Sequence, residues 1–193
     1  VIATALGTLA ALGLSRPHMP YKGLIMAILI SPMIVPLIIT AAGMFFFYAR
    51  INLVYTFTGV ILAHVALATP FVVITVTATL VGFDMNMVKA AQSLGAKPMR
   101  TFFKVIMPLI LPGIISGALF AFITSFDEVV IVMFMASIDQ LTIPKQMWAG
   151  IRQEISPVIL CIATCLVLLS IFLLTTVELL RRRSEKLRGI KAR

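Results

Sequence analysis

The residues best able to do chemistry in this chain are two adjacent carboxylates, Asp127 and Glu128, in the stretch SFDEVVIVMF. They are the only charges in the 34 residues from 105 to 138. An Asp at the bilayer centre costs about 2.5–3.5 kcal/mol on insertion scales, so such a group lines water, meets a partner or marks an interface. Adjacent helical residues point about 100° apart, so one can face a pathway while the other meets a partner or a break. Two readings stay open: a path that favours a cationic cargo, or a span that ends at the outer interface. Ten residues without charge follow before Asp139, which favours the path.

Few other reactive types are available. His64 stands alone in an apolar run, and reads as a hydrogen-bonded helix contact or as a proton relay. Cys161 and Cys165 share one helical face without other metal ligands and read as small apolar fillers. No G-x-x-x-x-G-K-[ST], G-x-S-x-G or H-E-x-x-H occurs. A membrane enzyme is therefore set aside, no cofactor or metal is expected, and any ATP-derived energy must come from a partner.

The elements that position these groups are long and apolar. The chain has 193 residues, 61% hydrophobic and 12% charged, with mean hydropathy +1.10. That composition predicts an all-α integral membrane protein forming a single domain over residues 1–193. Four runs are long enough to span: residues 24–47, 53–81, 105–138 and 157–177. Their internal prolines predict kinks rather than ends, because neighbouring groups can satisfy the freed carbonyls. The first run, residues 1–14, covers only about 21 Å against a hydrocarbon core of ~30 Å. It lacks signal-peptide features, and the expectation is that the sequence begins partway through a span. About five spans result, the first of them truncated.

Charge orders these spans. Of 16 Lys and Arg residues, 13 fall in segments 15–23, 82–104 and 180–193, and only Arg50, Lys145 and Arg152 fall in the alternate loops. The asymmetry predicts that the three basic segments, including the C-terminus, are cytoplasmic. It assigns the net charge of +9 and the basic tail 181–193 to membrane lipid rather than nucleic acid.

One cytoplasmic segment has structure of its own. Asp84 can cap a helix over residues 85–94, Gly95 suits its C-terminal stop, and Pro98 suits the first turn of another helix over 99–106. Ala90, Ala91 and Leu94 make a nearly bare face, which fits close approach by a cytosolic protein or a helix lying on lipid. KAAQSLGAKPMRTFFKVIMPLILPGI, residues 89–114, resembles the coupling-loop signature of ATP-binding-cassette importer permeases: Glu-Ala-Ala, three residues, Gly, about nine residues, then an apolar–Pro segment. Ala90, Ala91, Gly95, Pro108 and Pro112 match; Lys89 stands where the family usually has Glu. The resemblance implies a type I importer permease core in a prokaryotic cytoplasmic (inner) membrane. Its loop, residues 82–106, would dock on a cytosolic ATPase dimer beside a second permease subunit.

SFDEVVIVMF followed by LTIPKQMWAGIRQEISP is similar to the spermidine/putrescine branch of these permeases. That resemblance implies ammonium contacts at Asp127 and Glu128, cation–π faces at Phe126 and Trp148, and delivery by an extracytoplasmic polyamine-binding protein. In the outer segment 143–155, Met147, Trp148, Ile151 and Ile155 share a face, with Lys145, Arg152 and Glu154 elsewhere. That face reads as an interfacial anchor, or as an outer gate or docking surface. The rival functions are import of ferric iron, thiamine or a phosphonate by the same machinery, and proton-coupled secondary transport.

Overall fold

The computed structural model describes residues 1–16, 19–81, 84–153 and 157–187. Among them the chain is helical, with no strand. Outside the described residues lie Gly82 at the start of the coupling loop, Glu154 and Ile155 of the outer segment, and residues 188–193 of the basic tail.

Helix α1 (Ile2–Leu14) packs against α4 (Phe57–Val81), which in turn packs along α7 (Met107–Phe126). Hydrocarbon gives no hydrophobic drive for this association, so close van der Waals fit must supply it. Small residues permit that fit. A Cβ at Gly7 would lie 2.6 Å from Val72 Cβ, and one at Gly117 would lie 2.9 Å from Val72 Cα. Ala11, Val72, Val76 and Ile110 are fully buried around this seam.

The run 24–47 corrects the expectation for one proline. Helices α2 (Lys22–Ile34) and α3 (Leu37–Arg50) meet at a bend of 107°, so Pro36 marks a break rather than a kink. A residue before proline is driven out of the α region, and Val35 is extended at φ −70°, ψ 136°. Pro32, by contrast, stays inside α2. The carbonyl of Ile28, which loses its usual donor at Pro32, accepts from Ser31 Oγ at 2.8 Å.

Beyond the seam, α3 and α4 hold the short helix α8 (Val130–Met135), with Ala41, Ala63, Ile131 and Met135 fully buried. Helices α9 (Ile143–Gln153) and α10 (Pro157–Leu187) follow. By length and composition there are three spanning helices, or up to four if the bent pair is one span, plus the shorter α1. None of the α10 span is buried within the chain. Cys161 and Cys165 therefore face outward instead of filling a packed interior.

Candidate functional site

The polar segment between α4 and α7 forms as its residues dictate. Helix α5 (Met85–Ser93) starts at Asp84, whose Oδ1 accepts the Asn86 N–H at 2.9 Å. At its end Ala96 N–H donates to Ala91 O at 3.0 Å and Gly95 N–H to Gln92 O at 2.9 Å. This is a Schellman stop, and it requires the left-handed Gly95 at φ +81°. Val88 turns inward, while Lys89, Ala90 and Gly95 are exposed and Ala91 is half-buried. Leu94 is 89% exposed, a cost in water that a docking partner would remove.

Helix α6 (Pro98–Thr101) begins at Pro98 and passes into a π-helical turn, Phe102–Ile106, which the sequence reading missed. Its signal is Pro108. That ring removes one donor and crowds the carbonyl four residues back, at Lys104, so the backbone widens just there. Pro108 is exposed in the first turn of α7, and Pro112 lies half-buried inside that helix.

The acidic pair sits where run 105–138 divides. α7 ends at Phe126, Asp127 is its C-cap, and α8 begins at Val130. The pair is split by environment. Asp127 is exposed and lines a groove of about 520 Å³ between α7, α9 and α10. Phe126 and Trp148 line the same groove, so three of the four sequence-predicted pathway residues come together. Glu128 does not line it. It is 5% exposed, and its carboxylate accepts the Ile131 N–H at 2.8 Å and the Val132 N–H at 3.1 Å.

The aromatic faces are partly engaged already. Phe126 stacks on Phe122 with centroids 5.3 Å apart, and the Arg152 guanidinium lies 5.5 Å from the Trp148 ring centroid. Arg152 thus reaches back to the Trp148 face, although the sequence reading put it elsewhere. The i, i+4 spacing was the available signal. Met147, Trp148 and Ile151 do share the apolar side of α9, and all three face the groove.

The loops before α4 and after α8 are tied by groups that sequence reasoning also missed. Tyr55 N–H donates to Met135 O at 2.9 Å, and Gln140 Nε2 donates to Tyr55 O at 3.2 Å. Lys145 Nζ donates to Ser137 O at 3.2 Å, beyond the end of α8. No residue pattern announces such long-range bonds. His64 on α4 meets Ser125 near the end of α7, as expected of a helix contact. No group of three or more metal-ligating side chains occurs among the described residues.

Apolar helices of spanning length, with a short capped helix between two of them and a carboxylate at a broken apolar run, define a helical membrane protein. Residues 3–186 match the family described as "Binding-protein-dependent transport system inner membrane component". The chain belongs to that family, and it is a permease subunit of an ATP-binding-cassette transport system. It is 30% identical over 184 residues to the spermidine/putrescine transport system permease protein PotC of Haemophilus influenzae, covering 95% of this chain and 72% of that protein. Identity to the Escherichia coli PotC is 29% over 184 residues, covering 95% of this chain and 70% of that one. The putrescine transport system permease protein PotI of Escherichia coli is 37% identical over 103 residues, or 53% of this chain and 37% of that protein.

Proposed function

We propose that this permease moves polyamines inward across the cytoplasmic membrane, with Asp127 as the first ammonium contact. The observation that carries the reading is an exposed carboxylate in a largely apolar, aromatic-lined groove. A polyamine combines ammonium groups with methylene runs, and such a wall matches both parts. Phe126 and Trp148 supply apolar faces beside the carboxylate, and Glu128 belongs to the same acidic break. The relatives named for spermidine and putrescine transport point the same way.

In this reading the three basic segments are cytoplasmic. Lys89, Ala90, Ala91 and Gly95 present α5 to one member of an ATPase dimer, while Pro108 and Pro112 shape the entry into α7. A second permease subunit covers the exposed faces of α10 and α2, and an extracytoplasmic binding protein delivers cargo to the α9 side. Hydrolysis takes place in the ATPase, and this chain alternates access without covalent chemistry.

The test is reconstitution with the ATPase, the second permease and the binding protein. Polyamine-loaded binding protein should stimulate ATP hydrolysis and drive uptake into proteoliposomes. Uptake driven by a proton gradient without ATP would overturn the assignment. Stimulation by ferric iron, thiamine or a phosphonate, but not by polyamine, would overturn the cargo.

A further inference from the structure

Glu128 is the buried ionisable group that the cargo contact leaves unused. It follows the C-cap of α7 and precedes α8, a helix of six residues whose first N–H groups have no partners within the helix. Its two oxygens take two of those donors, from Ile131 and Val132. Both residues are fully buried, so water cannot replace the carboxylate there. On the other side of the break, Ser125 Oγ is held 2.9 Å from His64 Nδ1. The backbone at residue 127 is therefore fastened two residues before and one residue after, and of the two carboxylates only Asp127 lines the open groove.

We infer that Glu128 is a positioning residue: it clamps the α7–α8 break through the Ile131 and Val132 amides and so fixes the aim of Asp127, without touching cargo. The link to transport rests on the reading of Asp127 above; the clamp itself does not. Substitutions separate the clamp from a direct contact. Gln and Ala remove the same charge, but Gln keeps one acceptor in place and Ala keeps none. A clamp makes these two variants differ, whereas a charge acting on cargo makes them alike.

The experiment uses the assembled complex carrying Asp127→Cys with Cys161→Ser and Cys165→Ser, labelled by a water-soluble cationic thiol reagent. With Glu128→Ala, which orphans both buried donors, the labelling rate should change by about a hundredfold, and with Glu128→Gln, which orphans only one, by about tenfold. Equal rates for parent, Gln and Ala, or equal shifts for Gln and Ala, overturn the clamp. If the Ala variant does not assemble, Glu128→Gln in the parental Asp127 background decides. Its polyamine uptake should fall, and adding it to Asp127→Asn should cost little more than Asp127→Asn alone; a full additional loss on top of Asp127→Asn overturns the proposal. Normal uptake by Asp127→Asn would sink the cargo contact and leave the labelling result standing.

Discussion

His64 on α4 and Ser125 on the last turn of α7 are joined by a hydrogen bond of 2.9 Å, Nδ1 to Oγ. It links two long helices that pack closely at Gly113 and Gly117, and Ser125 lies two residues from Asp127. His64→Ala and Ser125→Ala should each lower the melting temperature of the detergent-solubilised complex. Polar contacts between membrane helices average about 0.6 kcal/mol and reach ~1.7 kcal/mol, so the shift should be small. The double variant should cost little more than either single one. ATP-driven uptake should survive in both variants when a protonophore collapses the proton gradient. Loss of uptake on adding protonophore to the parent would instead restore His64 as a proton relay.

Helix α5, proposed to dock on the ATPase, should fail in a distinctive way. Ala91→Trp fills the half-buried side of α5 and should leave insertion intact while separating ATP hydrolysis from transport. Gly95→Ala forces a side chain into the left-handed region at a cost of about 1–2 kcal/mol, and should loosen the Schellman stop. Lys89→Ala should do less, because Lys89 is exposed and has no acidic partner within the chain among the described contacts. The measurement is cargo-stimulated hydrolysis beside uptake in the same vesicles. Parental stimulation by Ala91→Trp would exclude this loop as the coupling element.

The α4–α7 seam tolerates no added volume. A Cβ at Gly117 meets the Val72 backbone and the Thr75 side chain, and backbone cannot move aside cheaply. Gly117→Val should destabilise the complex by about 1–3 kcal/mol, the usual range for overpacking. Gly43, inside α3, has nothing nearby, so Gly43→Ala should leave the same melting curve unharmed or raise it by the roughly 0.5–1 kcal/mol that glycine costs a helix.

Orientation can be read directly by labelling. Cysteines introduced at Ser93, on exposed α5, and at Gln140, in the loop after α8, should react from opposite sides of the membrane. Ser93 should react only from the cytoplasmic face and Gln140 only from outside. Reaction of Ser93 from outside would invert every span.

Much of this arrangement was legible in local sequence because local physics sets it. Asp84, Gly95 and Pro98 punctuate the coupling segment through capping, left-handed backbone and fixed φ, and each acts within a few residues of itself. The lone intramembrane His64 announced a polar partner, though not that the partner would be Ser125, 61 residues away. What stayed hidden depends on how elements meet. Pro32 and Pro36 look alike in sequence, yet Ser31 Oγ satisfies the carbonyl freed by Pro32, while extended Val35 turns Pro36 into a break. The division of labour within Asp127-Glu128 was equally invisible, because it depends on burial of α8 between α3 and α4.

That division sets the most informative test of function. Asp127 is exposed in the groove and Glu128 is buried with its oxygens on backbone donors, so the two neutralisations are not equivalent. Asp127→Asn keeps size and removes only the charge, and the insertion penalty of a carboxylate disappears with it. The variant should therefore assemble at least as well as the parent. Its uptake should nevertheless fall, and fall further for spermidine than for putrescine, since each added ammonium forfeits more attraction. A carboxylate that merely ended a span at the interface would give the opposite pattern, with altered assembly or no transport effect. Uptake of both cargoes in cells lacking other polyamine importers, normalised to assembled complex, makes the comparison. Parental rates for both would remove Asp127 from the cargo path and leave the polyamine reading resting on similarity to named relatives.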